Sequence, residues 1–516
     1  MVTSEKRPDV IGAMAAAHPQ ATAWVNLADG SELTFGQWDG QGNRLARGLA
    51  GRGIDRGDRV VIAITPDEPF EWLISYVAVH RAGAVAVPVN TRLSGPELGA
   101  ILTHAEPTAV LASDATESGV PWADLTAGRR GLRVTAVTGG ARGVSAFSEL
   151  LDPDASEVTI PIDADGAKDI MYTSGTTGAP KAVVVPYGKS DGKLRLSQWS
   201  GLGFMTASPF STTSGILLID GPGRGGLSGW YLPRFDAGKW LALAGDRRPV
   251  AGFIVPAMAQ LLVAHPHFVD ADLSSLVALT IGGAPITQST LHRLAERLPN
   301  ADVLVGYGLT EFGAVTRMPS GDKGKHLGSA GRPLPGVEVC LVSADGTEVE
   351  PGQVGEITVK GAEPTRRYYQ DTANSQTTWR DGWLYSGDLG HLDADGFLWI
   401  TGRSRDIIIR GGYNVVPGEV EEALYSHPSV AEAVVAGVPH DVLGEDVEAW
   451  IVLREGSVAT AADLREFLLG RLANYKVPRQ LHFATALPRN AAGKVIRHLL
   501  DHPAVGTPAA DLEANQ

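Results

Sequence analysis

Two kinds of apolar pattern alternate along the N-terminal part of the chain. Phe35, Trp38, Leu45 and Leu49 recur at near-helical spacing, and Val60-Val61-Ile62-Ala63-Ile64 follows as an unbroken run of the kind that forms a fully buried strand. A second helical stretch around Glu68–Arg81 leads to Ala84-Val85-Ala86-Val87-Pro88-Val89, and Pro107–Leu111 reads as a third strand. Helices and buried strands taking turns predict parallel βαβ units. Further runs at Ala182–Val185, Val250–Val255, Val277–Ile281 and Val303–Val305 continue the texture, so the expected fold class is a large α/β body.

The pattern changes twice after that. From about residue 325 to 400, short strands such as Gly336-Val337-Glu338-Val339 and Gly355-Glu356-Ile357-Thr358-Val359 sit between Gly, Pro and Asp turns and predict a β-rich subdomain. Residues 1–403 are therefore read as one body that includes this subdomain. Further on, Pro417 stands where it can open a helix carrying Val420 and Leu424, with Glu419, Glu421 and Glu422 favoured near its N-terminus. Candidate strands Ala431–Val438 and Val447–Leu453 and a helix presenting Leu464, Phe467, Leu468 and Leu472 complete a small C-terminal α+β domain over residues 404–500. Residues 501–516 lack apolar periodicity and read as a flexible tail.

Composition narrows the function. A net charge of −14 repels polyanions at long range, which disfavours a general nucleic-acid or membrane-surface binder and means that any anionic ligand needs a local site. One cysteine, Cys340, leaves neither an intrachain disulfide nor a cysteine-based zinc site and fits a reducing compartment. No apolar run has the length of a membrane span, and Met1–Gly12 lacks a basic segment followed by an apolar one, so a cytoplasmic location is expected. The 62 glycines in 516 residues exceed the usual share of about 7% and call for many turns or close backbone approaches.

Part of that excess gathers at Tyr172-Thr173-Ser174-Gly175-Thr176-Thr177-Gly178-Ala179-Pro180-Lys181. Small and hydroxyl residues between glycines allow backbone N–H groups and hydroxyls to surround phosphate oxygens, and lysine adds a point charge. This is not the Walker loop, because its glycines are three apart and Ala182 follows the lysine where Ser or Thr would hold magnesium. Taken alone, a Ser/Thr/Gly surface loop would explain it equally well.

Other motifs follow in order: Gly282-Gly283-Ala284-Pro285, Gly306-Tyr307-Gly308-Leu309-Thr310-Glu311, Tyr385-Ser386-Gly387-Asp388-Leu389-Gly390, Gly402-Arg403-Ser404-Arg405-Asp406, Gly411-Gly412-Tyr413-Asn414 and Pro488-Arg489-Asn490-Ala491-Ala492-Gly493-Lys494. With these motifs the chain resembles, over nearly its whole length, the adenylate-forming superfamily of acyl- and aryl-CoA synthetases, peptide-synthetase adenylation domains and luciferases.

The resemblance implies an ATP-dependent ligase that makes an acyl- or aryl-adenylate from a carboxylic acid, releases pyrophosphate and passes the acyl group on, with CoA as the first-choice acceptor. Attack of a carboxylate on the α-phosphate brings two anions together, so the site must supply positive charge and alignment. By resemblance, Thr173, Ser174, Gly175, Thr176, Thr177, Gly178 and Lys181 hold the β- and γ-phosphates. Glu311 binds Mg2+, a hard cation suited to a carboxylate, and Thr310 contacts the α-phosphate. Gly283, Ala284 and Tyr307 flank adenine, Asp388 accepts from the ribose hydroxyls, and Arg403 supports the ribose or α-phosphate. Lys494 is the expected catalytic cation, bridging the carboxylate and α-phosphate as charge builds. Arg405 stands at the hinge, about which the small domain would present first Lys494 and then Gly411 and Gly412, which line the acceptor tunnel. Phe210, Thr212, Phe253, Met258, Gly282 and Gly308 are the expected acid pocket.

The pattern departs from the family in two places. Ser208-Pro209-Phe210-Ser211-Thr212 puts Thr212 where CoA-using relatives commonly have histidine, and Pro186–Ser200 replaces a His-Arg-Asn segment and a long helix. An amine or carrier-protein acceptor, or nitrite activated to diazotise an arylamine, therefore stays open beside CoA. Gly188-Lys189-Ser190-Asp191-Gly192 formally matches a hydrolase nucleophile elbow at Ser190, but Pro186 interrupts the strand that should lead into it. A non-catalytic ATP-binding scaffold is a third reading, which the presence of both Lys181 and Lys494 opposes. His265 and His267 lack carboxylate or thiol neighbours in sequence and are expected to be structural.

Overall fold

The computed structural model describes residues 9–117, 119–140, 144–158, 163–173, 181–188, 194–319, 325–361, 366–489 and 495–500. Two compact units divide the chain between Ser404 and Arg405. The first is α/β with an attached antiparallel sheet, and the second is a small α+β unit.

In the first unit an eight-stranded sheet runs in the order 367–368, 181–186, 167–173, 85–88, 59–63, 109–112, 134–137, 145–146. The predicted runs at Val60–Ile64, Ala84–Val89 and Pro107–Leu111 become strands Arg59–Ala63, Val85–Pro88 and Ala109–Ala112, paired in parallel. The parallel pairing gives way at one edge, where Lys181–Pro186 is antiparallel both to Ala167–Thr173 and to Arg367–Tyr368. A second, seven-stranded sheet in the order 302–305, 278–281, 251–254, 203–206, 228–231, 22–26, 32–34 is parallel except for its last pair.

Helices Phe35–Ala50 and Pro69–Arg81 lie in the hydrophobic core shared by the two sheets, where Trp38, Leu45, Leu49, Leu73 and Ile74 meet Ile62 of one sheet and Trp24 and Tyr231 of the other. Thr34 starts the first helix by a reciprocal cap: its hydroxyl accepts from Gln37 N at 3.1 Å, and the Gln37 amide oxygen accepts from Thr34 N at 2.9 Å. Such a cap contributes about 1 kcal/mol.

The glycine-rich stretch after residue 220 has a packing explanation. Residues 194–202 form no helix and lie along it as an extended strap, with Ser197 N on Arg224 O at 2.9 Å and Ser200 N on Gly226 O at 2.8 Å. Trp199 of the strap packs edge-on against Phe35 at 5.3 Å. A Cβ on Gly226 (φ +72) would sit 2.1 Å from Gln198 O, and one on Gly229 would meet the Trp24 ring at 2.5 Å.

An antiparallel sheet of Val337–Val342, Gly355–Gly361, Trp383–Leu392, Trp379–Arg380 and Leu398–Arg403 realises the β-rich part. In the second unit, strands Val430–His440 and Gly444–Leu453 form a long hairpin covered by helices Pro417–Tyr425 and Ala461–Leu469. The last helix ends before Leu472, which still packs against that core.

Gly226→Ala should destabilise the chain by about 2 kcal/mol or more, because it combines overpacking with a left-handed backbone. Gly221→Ala, with no atom within 4 Å of the added carbon, should leave the urea midpoint within error of the parent, and chemical denaturation of both variants checks the pair.

Candidate active site

Three of the sequence motifs converge on one carboxylate. Asp388 lies on strand Trp383–Leu392, directly opposite Arg403 on strand Leu398–Arg403. It is buried at 6% exposure, its Oδ1 is 2.8 Å from Arg403 Nε, and its Oδ2 accepts from the Tyr307 hydroxyl at 2.7 Å. Its backbone N–H donates to Ser386 Oγ at 3.0 Å, which fixes the turn that presents it. Both oxygens thus face donors, the arrangement suited to a bidentate acceptor. Burial first, then the neighbouring Asp388 charge, pushes the Tyr307 phenol well above its ordinary value, so its hydroxyl remains a donor.

A second cluster surrounds the turn after strand Gly308–Leu309. A Cβ on Gly308 would lie 2.5 Å from Gly313 O, so only glycine lets that hairpin close. The Thr310 hydroxyl is 2.8 Å from that of Thr213, and the Thr310 carbonyl accepts from Arg366 Nη1 at 2.6 Å. Glu311 Oε1 accepts from the Tyr368 hydroxyl at 3.2 Å, and Lys181 Nζ stands 5.0 Å above the centroid of the Tyr368 ring. Burial lowers the Arg366 pKa, opposed by the charges of Asp169 and Glu311. Thr173 pairs across the sheet with Lys181. Ser174, Gly175, Thr176, Thr177 and Gly178 lie outside the described residues, as do Ser190 and Lys494.

Around the expected acid pocket the outcome is mixed. Phe253 is buried within strand Ala251–Ile254, 3.5 Å from where a Gly282 side chain would begin. Gly283 adopts φ +91 and Ala284 is half-buried, while Met258 packs against the core of the seven-stranded sheet. Phe210 is a core residue, stacked on Tyr231 at 4.5 Å and edge-on to Trp24 at 5.1 Å. The Thr212 hydroxyl is likewise committed, because it caps helix Thr213–Leu218 by accepting from Gly215 N at 3.0 Å and donates to Pro209 O at 2.8 Å. The hydroxyl that reaches Thr310 is that of the next residue, Thr213.

In the second unit Gly411 (φ +55) and Gly412 (φ +86) form the two-residue turn of a hairpin in which Arg410 pairs with Tyr413. Two consecutive left-handed positions explain the glycine pair. Arg405 is half-exposed, 3.7 Å from Asp406. His265 accepts from the His267 backbone N–H at 3.2 Å, and among the described residues no group of three or more His, Cys, Asp or Glu could hold a metal ion. No helix among them is long and apolar enough to cross a membrane. Thr213, Arg366 and Tyr368 escape a reading of the sequence. The signal that could have found them is the basic pair Arg366-Arg367 beside Tyr368-Tyr369.

A family model described as AMP-binding enzyme matches residues 13–369, and one described as AMP-binding enzyme C-terminal domain matches residues 419–494. The chain belongs to the AMP-binding enzyme family. This adenylate-forming ligase is 34% identical over 487 residues to a feruloyl-CoA synthase of Amycolatopsis sp, across 93% of this chain and 95% of the relative. ATP-bound MatB from Rhodopseudomonas palustris is 29% identical with a TM-score of 0.82, across 95% and 97% of the two chains. The amide bond synthetase McbA from Marinactinospora thermotolerans is 26% identical with a TM-score of 0.80, across 94% and 98%.

The Tyr307 environment makes a pH prediction for this ligase. A phenol whose folded pKa lies above its ordinary value of 10.0 keeps its proton after the unfolded chain has lost it, so its contribution to stability falls as pH rises above about 10. Tyr307→Phe should therefore lose less stability than the parent between about pH 9.5 and 11, as urea midpoints across that range will show.

Proposed function

We propose that the protein activates a carboxylic acid as its adenylate and transfers the acyl group to CoA. The observation that carries this reading is the meeting of Tyr307, Asp388 and Arg403, from three separate motifs, at one buried carboxylate. In this role Asp388 would exchange its present donors for ribose hydroxyls, with Tyr307, Gly283 and Ala284 flanking adenine. Thr173, Lys181 and the loop between them would hold the phosphates that leave, and Thr310 would receive the α-phosphate. Glu311 is an acceptor-only carboxylate beside a hydroxyl donor, a donor set that fits a hard divalent cation. Mg2+ there would neutralise phosphate charge.

In the first step a carboxylate oxygen of the acid bonds to the α-phosphorus while the bond to the β-phosphate oxygen breaks, and pyrophosphate carries away that electron pair. Lys494 would stabilise the charge that builds between the two anions. In the second step the acceptor thiol, losing its proton, bonds to the acyl carbon and AMP departs. Arg405, the first residue of the second unit, would serve as the pivot between the steps, and Gly411 and Gly412 would leave room for the incoming thiol. The feruloyl-CoA synthase relative supports CoA as acceptor. An amine acceptor is the second reading, favoured by Thr212 at the usual histidine position and by the likeness to an amide bond synthetase. Phe253, Gly282 and the hydroxyl-rich segment around Thr213 fit an aryl or short polar acid better than a long alkyl chain.

Lys494→Ala should lower pyrophosphate release by at least about a hundredfold while changing ATP affinity by less than about fivefold; near-normal release would overturn the mechanism. The acceptor is decided by pyrophosphate release across a panel of carboxylic acids, and nitrite, with and without CoA. Acid-dependent release with a thioester visible by mass spectrometry is expected, whereas release indifferent to CoA with no thioester would favour the amine reading.

A further inference from the structure

We infer that Tyr368 is a positioning residue with two separable duties, its hydroxyl orienting the metal-binding carboxylate of Glu311 and its ring face holding the phosphate-binding ammonium of Lys181. The inference rests on the roles proposed above for Glu311 and Lys181. Tyr368 is 7% exposed, and its backbone is fixed at three points. Strand Arg367–Tyr368 pairs with Lys181–Pro186, with Tyr368 opposite Val183. Tyr369 N donates to Ala182 O at 2.7 Å, and Tyr368 N donates to Ser375 Oγ at 3.0 Å.

Residues 181 and 183 share a face of their strand, so the residue opposite Val183 is the diagonal neighbour of Lys181. That register carries the ring to 5.0 Å from the ammonium, within cation–π range. The Trp379 ring, edge-on at 5.3 Å, limits rotation of the tyrosine and aims its hydroxyl at Glu311 Oε1, 3.2 Å away. A neutral hydroxyl suits this task because it donates to one carboxylate oxygen without cancelling the charge that attracts a cation, as a lysine or arginine would. Partners that orient a ligating carboxylate commonly change metal affinity by about 10- to 100-fold when removed. Arg366, two residues earlier, holds the Thr310 carbonyl at 2.6 Å, so the turn is braced on both sides of the Thr310–Glu311 peptide.

The two duties predict different losses. Mn2+ replaces Mg2+ so that free metal is read by electron paramagnetic resonance, in full-length protein with a non-hydrolysable ATP analogue, and binding of the metal-free analogue is measured by calorimetry. Tyr368→Phe keeps the ring and loses the hydroxyl. It should weaken Mn2+ binding to the nucleotide complex about tenfold, leave metal-free nucleotide affinity unchanged, and unfold at the parent temperature. Tyr368→Leu should in addition lower metal-free nucleotide affinity several-fold. If that variant does not fold, Tyr368→Met, which keeps an apolar side chain without a ring face, replaces it, and parent-like metal-free nucleotide affinity in the folded variant would overturn the ring's duty. Glu311→Gln should weaken Mn2+ binding on its own, and adding Tyr368→Phe to it should weaken it no further. Parent-like Mn2+ binding in Tyr368→Phe, with Glu311→Gln impaired, would overturn this inference alone. Parent-like binding in Glu311→Gln would overturn the metal reading beneath it.

Discussion

The antiparallel seat of strand Lys181–Pro186 is the constraint on which the candidate site depends. Its neighbours on the other side of Ala167–Thr173 are parallel, and parallel strands need a crossover connection of a dozen or more residues. Antiparallel pairing instead lets Thr173 and Lys181 face each other at the ends of the short segment between them. The same strand accepts Arg367–Tyr368 on its free edge, so a residue far along the chain is brought beside Lys181. Register matters because a slip of one residue turns every side chain to the opposite face. Lys181 would then leave the Tyr368 ring, and Glu311 would lose the link that joins it to the sheet.

Polar satisfaction is the second condition. Asp388 is buried and charged groups in that setting need partners, which Tyr307 and Arg403 provide from a loop and a neighbouring strand. Thr310 is similarly enclosed, its hydroxyl facing Thr213 and its carbonyl facing Arg366. These contacts fix the side chains within the protein itself, so a ligand that replaced one donor with another would reorganise little of the surrounding structure.

Much of this was legible in the sequence because local spacing records local demands. The unbroken runs at 60–64 and 84–89 could only be buried strands or helix cores, and both proved to be strands. Asp388, Tyr307 and Arg403 stand in the ordered motifs and meet in the structure, whereas Gly308, Gly411 and Gly412, read from the sequence as pocket and tunnel residues, also shape the backbone of tight hairpins. What stayed hidden depends on pairing between distant segments or on a choice of rotamer. Tyr368 acquires its position only from the pairing with Val183. Phe210 sits in a motif next to the expected pocket, yet its ring turns into the aromatic cluster of Trp24, Trp72 and Tyr231. Thr212 could have been recognised as a helix cap, since Thr is among the residues favoured at that position. Strands Thr22–Asn26 and Glu32–Thr34 were also missed, because they are too short for an alternating pattern to stand out.

The strap at residues 194–202 divides the chain's freedom to vary in an unusual way. It is held both by main chain, through Ser197 N and Ser200 N, and by side chains, with Leu194, Leu196 and Trp199 packed on the core and the Ser200 hydroxyl donating to Gly226 O at 2.8 Å. A matching demand falls on the residue it crosses at Gln198, because Gly226 admits no side chain there. Natural variation and library design should therefore find the crossing segment constrained at its apolar anchors Leu194, Leu196 and Trp199, and the track beneath it constrained at Gly226, where the demand is for a missing side chain.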